Sequence, residues 1–275
     1  MFASIEGLLP RPSVMGVLNV TPDSFSDGGA NFDPDVAVAT ARRMTEEGAA
    51  LVDVGGESTR PGAEGVPLDE ELRRVVPVLE AIAGEQPVSI DTSKAEVARR
   101  ALDLGAVLVN DVTALRGDPE LADVVAERGA YLCLVHMLGE PRTMQDDPRY
   151  DDVVADVARF LEERLAFAVA AGIPEERICL DPGVGFGKTV EHNVELLARL
   201  GELLALGRPL VVGASRKRFL GRLLGEADAR TGPLAAGIAA GLAAFDGGAT
   251  ILRVHDVGPH VEALAVARAV EDARR

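Results

Sequence analysis

The sequence predicts a (β/α)8 barrel, in which eight parallel strands are surrounded by helices. Short runs rich in Val, Ile and Leu alternate along the chain with longer segments of helical period. Continuous apolar runs of this length are typical of strands buried on both faces. Eight such runs and eight helical segments in 275 residues match the repeat number of this fold. A doubly wound open sheet is the alternative, and the count of eight places it second.

Each repeat pairs one strand with one helix. The predicted strands are Val14–Val20, Ala50–Gly55, Pro87–Asp91, Val107–Val112, Tyr131–Met137, Ile178–Asp181, Pro209–Ala214 and Thr250–Val254. The predicted helices are Asp35–Glu47, Asp69–Ala83, Lys94–Leu104, Pro119–Arg128, Tyr150–Ala171, Val190–Ala205, Pro233–Asp246 and Pro259–Arg274. Asp-Pro pairs precede two of these helices and glycines follow several, as helix start and stop signals do. No composition break or linker divides the chain, so we expect a single domain over residues 1–275.

Composition excludes several classes of partner. The chain has 28 basic and 44 acidic residues, a net charge of −16, which argues against general nucleic-acid binding and against docking on anionic membranes. A small anionic substrate still fits if a few cations converge. Cys133 and Cys179 each lie in an apolar run, which indicates buried thiols in a reducing compartment. The longest apolar stretch, Leu234–Phe245, is too short to span a bilayer, and with no targeting pattern at the N-terminus we expect a cytoplasmic protein.

Familiar nucleotide and metal motifs are missing. The segment GVGFGKT resembles a P-loop, but the position five residues before Gly187 is Pro182, so the required glycine spacing fails. No GxGxxG follows a predicted strand. The cysteines and histidines lack zinc-ligand spacing, and no Ser/His/Asp set surrounds a nucleophile elbow.

Polar residues instead collect where the predicted strands end. In chain order these clusters read LNVTPDSFSDGG, VGGESTRPGA, IDTSK, NDVT, VHM, DPGVGFGKT, ASRKRF and RVHD. In a barrel all of these ends meet at one rim, where the active sites of this fold lie. A single polar residue at a strand end is usually a helix cap or turn residue, but eight clusters at one rim predict an active site.

Two chemically different sets stand out among these residues. The first offers carboxylates and an amide that suit a flat heterocycle with N–H donors, and consists of Asp91, Asn110 and Asp181. The second would hold an anionic, oxygen-rich group, and consists of Arg60, Lys217, Arg253 and His255. The sequence therefore predicts a ligand with a donor-rich ring at one end and an anion at the other.

Lysine is rare enough here to carry information. Only three of the 28 basic residues are lysines, so arginine is this chain's default cation, and a site that needs a compact ammonium would select lysine. We expect a functional role for Lys217. Lys188 fits either a function or a local cap, and Lys94 fits a solvated position.

The remaining histidines carry less signal. His136, at the end of a predicted strand, fits a core histidine and a functional one equally well. His192 and His260 fall in predicted helices, and we expect structural roles for both.

The strand-end motifs resemble the dihydropteroate synthase family over Val14 to Val257. The matching elements are MGVLNVTPDSFSDGG, VDVGGESTRPGA, SIDTSKAEVARRAL, VNDVT, LVHMLGEPRTMQ, DPGVGFGKTVEHN, VGASRKRFLG and ILRVHDV. Pterin-dependent methyltransferases share mainly the DT and ND elements, whereas SRK and RxH are more particular to the synthases.

This resemblance implies a barrel that joins a dihydropterin diphosphate to 4-aminobenzoate in folate biosynthesis and releases diphosphate. It implies pterin contacts at Asp91, Asn110, Asp181 and Lys217, and diphosphate contacts at Thr59, Arg253 and His255. It implies aminobenzoate contacts at Arg60, Pro61, Phe186, Lys217 and Arg218, and a Mg²⁺ ligand at Asn19. The catalytic set would be Asp91, Asp181, Lys217, Arg253 and His255. Residues 21–29 and 58–62 resemble the family's mobile lids.

Three other readings use some of the same residues. A pterin-dependent methyltransferase or a non-catalytic pterin-binding protein would keep the ring anchors, but neither needs the anion-binding residues. A phosphate-binding aldolase barrel would need a lysine inside a strand, and none of the three lysines lies in one.

The predicted helix Pro233–Asp246 bears on oligomeric state. Gly237 and Gly241 give it a small-residue face that suits either a subunit interface or packing on its own barrel. The resemblance favours a homodimer through the last helices.

Overall fold

Eight parallel strands form a barrel in the computed structural model, which describes residues 3–21, 33–60 and 62–274. The strands are β1 (Ser13–Asn19), β2 (Leu51–Gly55), β3 (Val88–Asp91), β4 (Leu108–Asp111), β5 (Tyr131–Val135), β6 (Ile178–Asp181), β7 (Val211–Val212) and β8 (Ile251–Val254). Their order around the sheet is β6-β5-β4-β3-β2-β1-β8-β7. The ring closes where the Leu180 amide donates to the Pro209 carbonyl at 2.9 Å and Leu180 pairs with Leu210. The barrel prediction is confirmed, and the open-sheet alternative is wrong.

Helices follow the strands on the outside of the barrel. They are α1 (Ile5–Leu8), α2 (Pro34–Glu46), α3 (Leu68–Ile82), α4 (Ala95–Asp103), α5 (Leu121–Arg128), α6 (Val153–Ala170), α7 (Val190–Ala198), α8 (Arg218–Leu223), α9 (Leu234–Asp246) and α10 (Val257–Ala273). Every predicted helix has a counterpart, and α1 and α8 are additional. No helix in the described part of the chain has the length and apolar character to cross a membrane.

Several predicted boundaries differ from the structure, most of them by one or two residues. Helix α6 begins three residues late because Asp152 caps it, accepting the amides of Val154 and Ala155 at 2.9 and 3.0 Å. The predicted helix Val190–Ala205 ends as an α-helix at Ala198 and continues as a 3-10 segment, Leu200–Leu206. The predicted strand Pro209–Ala214 retains ladder pairing only at β7.

Apolar side chains pack in two layers. One layer lies between the strands and the surrounding helices. The other fills the barrel interior, where Met15, Leu51 and Leu108 pack with Ile5 and Leu9 from the N-terminal segment. Cys133 and Cys179 belong to this inner cluster as fully buried free thiols on paired positions of β5 and β6. The prediction of buried thiols is confirmed.

Strand register places the candidate polar residues at one level. Asn19 pairs with Gly55, Gly55 with Asp91, and Asp91 with Asn110. Residues in register on neighbouring parallel strands point to the same side of the sheet. One row across β1 to β4 therefore brings an amide, a gap without a side chain, a carboxylate and a second amide together at the carboxyl end of the barrel.

Candidate active site

A cavity of about 650 Å³ opens at the carboxyl ends of the strands. Of the residues predicted for the site, nine line it: Asn19, Thr59, Arg60, Asp91, Phe186, Lys217, Arg218, Arg253 and His255. Asn110 and Asp181 do not line it and are buried beside it. Pro61 and positions 22–29 of the first expected lid lie outside the described residues.

The hub of the site is Asp53, in the middle of β2, whose side chain is wholly buried. Its carboxylate accepts hydrogen bonds from the Ser89 hydroxyl at 2.6 Å, the Asn110 amide at 3.1 Å and the Arg253 Nε at 2.7 Å. These partners come from β3, β4 and β8. A buried carboxylate is tolerated only when it is paired and hydrogen-bonded, so Asp53 fixes the positions of the side chains around it.

Arg253 joins this hub to the cavity. Its Nη2 donates to Asp91 Oδ2 at 2.6 Å while its Nε donates to Asp53. Burial alone would lower the pKa of Arg253, but the two carboxylates outweigh burial and raise it, so the guanidinium stays charged. The predicted acidic and cationic sets are therefore in direct contact through Arg253 and are not separated at opposite ends of the site.

The two carboxylates predicted to bind a ring, Asp91 and Asp181, have pKa values that a cationic or donor-rich ligand would change. Burial raises the pKa of Asp91 to about 7, against the opposing effect of Arg253. Burial also raises the pKa of Asp181, although the carboxylate accepts the Gly183 amide at 2.7 Å. N–H donors of a bound ring would favour the ionised form of both groups.

The neighbouring part of the cavity is arranged for an anion. His255 Nδ1 is buried and has no hydrogen-bond partner among the described residues. Burial lowers the pKa of His255 well below its usual value, and the nearby charges of Arg253, Arg216, Arg60 and Lys217 lower it further. Four cations thus lie around a neutral imidazole in a chain of net charge −16, and two of them, Arg216 and Arg253, are also paired with carboxylates. We name this cluster the positive pocket, and its cations suit an anion such as a diphosphate.

Lys217 lies against an aromatic ring. Its Nζ is 3.8 Å from the centroid of Phe186, a distance typical of a cation–π contact. The stem passes over Gly185, where a Cβ would come within 2.9 Å of Lys217 Cδ. Burial lowers the pKa of Lys217 to about 8, and Arg253 lowers it further against the opposing effect of Asp181 and Asp91.

The expectation that Lys94 is solvated is wrong. Its ammonium donates to Glu71 at 2.5 Å and also to Glu57. Glu71 is fully buried and accepts the Thr92 hydroxyl at 2.7 Å as well. Lys94 thus ties the start of the loop after β2, which carries Thr59 and Arg60, to the end of β3.

The other histidines have partners within the fold. His136 Nδ1 lies 2.9 Å from Lys188 Nζ. The His192 amide donates to Thr189 in a capping box at the start of α7, and His260 Nδ1 lies 2.7 Å from the Asp256 carbonyl. The structural roles expected for His192 and His260 are confirmed, and the local pairing left open for Lys188 is present.

The surroundings of Asn19 fit one ligand of a magnesium ion. No cluster of three or more His, Cys, Asp or Glu side chains suited to a metal occurs among the described residues. Gly55 leaves space beside Asn19, since a Cβ there would lie 3.9 Å from Asn19 Oδ1 and 3.4 Å from Asp91 Cβ. Mg²⁺ often takes most of its ligands from substrate phosphates and water, with one or two protein oxygens. The donor set present fits an ion that arrives with a diphosphate.

Comparison with known proteins agrees with this geometry. Residues 15–255 match the family of pterin-binding enzymes. The dihydropteroate synthase of Escherichia coli K12 is 49% identical over 270 residues, which cover 97% of this chain and 94% of that protein. A solved structure of the Xanthomonas albilineans dihydropteroate synthase with 4-aminobenzoic acid is 51% identical with a TM-score of 0.87, covering 95% of this chain and 94% of that one. A second, in complex with 7,8-dihydropteroate, is 48% identical with a TM-score of 0.83 and the same coverage.

The chain belongs to the dihydropteroate synthase family of pterin-binding enzymes. Its family resemblance, inferred from the strand-end motifs, is therefore confirmed, as is the barrel fold. Dihydropteroate synthases are transferases of folate biosynthesis, and this chain is a member of that class.

Sequence reasoning missed some residues of this synthase's site. Asp53 lies inside the apolar run LVDVG, and a charged residue at that place was the available signal. Glu57 and Glu71 gave no signal, because their roles depend on contacts with Lys94 from another repeat. Arg216, in the left-handed region at φ +58° and bonded to Asp256 at 2.9 Å, was also missed.

Replacing the hub carboxylate tests whether the network depends on it. Asp53→Asn places an amide N–H₂ among groups that are all donors, so a buried donor loses its acceptor. We expect a loss of about 3 kcal/mol in the free energy of unfolding, the lower end of the range for breaking a buried ion pair, together with weaker pterin binding. Urea unfolding measures the first. Asp103→Asn, which breaks a surface ion pair with Arg128, is the matched control, and equal stability of the two variants would contradict the role of Asp53.

Proposed function

We propose that this protein condenses (7,8-dihydropterin-6-yl)methyl diphosphate with 4-aminobenzoate to give 7,8-dihydropteroate and diphosphate. The observation that carries the proposal is that carboxylates and a cluster of cations lie side by side at one cavity. Asp53 and Asp181, which are buried, and Asp91, which lines the cavity, adjoin a positive pocket in which His255 Nδ1 lacks a partner among the described residues. A ligand with a donor-rich ring and an anionic leaving group complements both parts.

The ring-binding residues would stabilise developing positive charge. As the bond between the methylene carbon and the diphosphate oxygen breaks, its electron pair leaves with the diphosphate, and the electron-rich dihydropterin shares the charge left on the methylene. Asp91 and Asp181 would hold the ring N–H groups, with Asn110 positioned by Asp53. Preorganised carboxylates of this kind lower the barrier because they need no reorganisation during the reaction.

The positive pocket would hold the leaving group. We assign diphosphate contacts to Thr59, Arg253 and His255. Asn19 would contribute one oxygen ligand to a Mg²⁺ ion, which when bound would neutralise charge on the diphosphate oxygens. Arg253 contacts Asp91 as well, so it would fix the distance between the ring and the leaving group.

The second substrate would attack from the side of Phe186. We place 4-aminobenzoate among Arg60, Pro61, Phe186, Lys217 and Arg218. Its aryl amine has a free lone pair at pH 7 and needs no general base before attack. The new C–N bond forms at the methylene carbon, and the surplus amine proton passes to diphosphate or solvent. Positioning is then the main contribution of this wall, and closure of the loops would keep water from the methylene.

Three further proposals complete this picture. We propose that the chain acts as a single domain and that it works in the cytoplasm. The second proposal is supported by Cys133 and Cys179, which are free thiols although they occupy paired positions on neighbouring strands. Its partners would be the two small-molecule substrates, with no nucleic acid and no membrane. A pterin-dependent methyltransferase and a pterin-binding protein use the ring anchors alone, and the positive pocket favours the synthase over both.

Diphosphate release tests the proposed reaction directly. Purified protein with the pterin diphosphate and Mg²⁺ should release diphosphate only when 4-aminobenzoate is added, and EDTA should stop the release. Asp181→Asn should lower kcat/KM about 10- to 100-fold, since the lost hydrogen bonds are charge-assisted ones of about 1.5–3 kcal/mol. The amide oxygen can still accept the Gly183 amide, and Asp103→Asn serves as the control. Tight pterin binding without release would instead support the binding-protein reading.

The pKa of Lys217 predicts an alkaline limit to activity. With a pKa of about 8, the free enzyme loses this positive charge as the pH rises above 8, so attraction for the anionic substrates weakens. We expect kcat/KM to fall tenfold for each pH unit above that value, because kcat/KM reports the free enzyme's groups. Lys217→Arg keeps its charge and should lower the plateau but remove the decline. A profile of the unmodified enzyme that stays flat to pH 9.5 would exclude this role.

We also propose a homodimer through the last helices. The small-residue face of α9 is not available for it, since Gly237 packs on Ser215 and Gly241 on Leu252 and His260 of the same chain. Exposed apolar side chains of α9 and α10 remain, and these are Leu234, Val266 and Val270. Val266 and Val270, four residues apart on one face of α10, form an exposed apolar pair that favours burial against a second copy.

Sedimentation equilibrium tests the dimer. The unmodified protein should sediment as a dimer, and Val266→Glu, at a position 67% exposed, should shift it to monomer without loss of stability. Leu223→Glu, on α8 and 54% exposed, is the control and should remain dimeric. A monomeric unmodified protein would overturn the proposal.

A further inference from the structure

The segment Pro182–Lys188 after β6 is pressed tightly against the segment that follows β5. Gly183, Gly185 and Gly187 have φ values of +68°, +83° and +60°, a region that favours glycine. A Cβ on Gly183 would lie 1.8 Å from the His136 carbonyl oxygen, and one on Gly187 would lie 2.7 Å from Leu138 Cβ. These close contacts restrict the loop to one backbone conformation, and that conformation determines where its side chains point.

The ammonium of Lys188 lies inside this loop. Only 3% of the residue is exposed, and Nζ donates to the Gly183 carbonyl at 3.0 Å and to the Phe186 carbonyl at 3.1 Å. His136 Nδ1, 2.9 Å away, completes a set of three acceptors. Three acceptors around one nitrogen match the three N–H bonds of an ammonium. Lys188 thus joins the start and the end of the loop to the end of β5.

Stability alone does not explain a lysine at this place. Among the described residues Lys188 has no carboxylate within ion-pair distance, and burial lowers its pKa to about 7. A buried cation without an ion pair is costly. Arginine, the default cation of this chain, cannot place three acceptors around one atom. The retained lysine therefore points to a geometric requirement of the loop.

That requirement concerns Phe186. Other side chains hold neighbouring parts of the loop: Gln145 donates to the Gly185 carbonyl at 2.8 Å and Tyr150 to the Gly187 carbonyl at 2.7 Å. Among the described residues, Lys188 provides the side-chain bond to the carbonyl of Phe186 itself. The Phe186 ring lines the cavity and lies 3.8 Å from Lys217 Nζ. A rotation of the Phe186 peptide would move this ring away from the wall assigned to the second substrate.

We propose that Lys188 is a positioning residue for the second substrate: its buried ammonium holds the Phe186 peptide so that the ring faces 4-aminobenzoate. The inference rests on the proposed function, because it assigns that substrate to the Phe186 wall. Lys188 acts through Phe186 and does not touch the reacting atoms. Its removal should affect the aminobenzoate and leave the pterin diphosphate largely unaffected, since Asp91, Asn110 and the anion-binding residues lie on other strands. Asp181 ends β6, but its carboxylate is held by the Gly183 amide and not by Lys188.

Steady-state kinetics of Lys188→Met separate these effects. Methionine keeps much of the length and volume but donates no hydrogen bond. We expect the KM for 4-aminobenzoate to rise at least tenfold, while the KM for the pterin diphosphate stays within twofold. Lys188→Gln, which can still donate to one or two carbonyls, should show a smaller rise in the same direction and provides the test if Lys188→Met does not fold. Tyr150→Phe removes a bond to the same loop without touching the Phe186 carbonyl and should leave both KM values within threefold.

The outcomes distinguish the inference from the proposed function. The unmodified protein is measured first, and if 4-aminobenzoate fails to promote diphosphate release, the proposed function fails and this inference fails with it. If the unmodified protein is active and a folded Lys188 variant keeps both KM values, Lys188 only stabilises the loop and the inference is wrong. Equal increases in both KM values, or an equal effect of Tyr150→Phe, would also overturn it.

Discussion

The triad Asp53–Arg253–Asp91, in which Asp53 is wholly buried and the other two side chains line the cavity, is the interaction on which the rest of the site depends. Arg253 on β8 reaches past β1 to the carboxylates of β2 and β3, at 2.7 and 2.6 Å. Each of these charges would be costly to bury alone, so none of the three can move without leaving the others uncompensated. The same contacts orient Asn110 through Asp53. The rigidity of the barrel mouth therefore comes from charge compensation as well as from the apolar layer below it.

The three lysines show a second constraint. Lys94 donates to two carboxylates, Lys188 to two carbonyls with an imidazole nitrogen close by, and Lys217 lies over an aromatic ring. The three acceptors of Lys188 surround a single nitrogen, a geometry that a planar guanidinium does not provide. Lysine in this arginine-rich chain thus marks places where loops after the strands must be held at one point. Lys94 holds the loop after β2, Lys188 the loop after β6, and Lys217 lies against that second loop.

The fold and the level of the site were predictable because both depend on local patterns. Apolar runs of strand length alternate with helical period, and parallel register then brings the last residues of neighbouring strands, such as Asp91 and Asn110, together. The hydrogen-bond partners were not predictable. Arg253 and Asp53 are 200 residues apart, and Lys94 meets Glu71 only because α3 packs beside α4, at whose start Lys94 lies. Contacts that depend on side chains from different repeats leave no periodic signal, which is why Lys94 was wrongly expected in solvent.

Under the proposed function, the same geometry would let a strongly acidic protein bind two anionic substrates. The cations are concentrated around His255, and burial together with these charges lowers its pKa, so the imidazole stays neutral and Nδ1 can offer its hydrogen-bonding capacity without adding charge. The carboxylates lie beside them, toward Asp53, and Arg253 is bonded to two of these carboxylates. In the proposed reaction, breaking the bond between methylene and diphosphate would move negative charge toward the cations and positive charge toward the carboxylates. The fixed charges of the site are already arranged in that direction, so the protein would need little reorganisation as the charges separate.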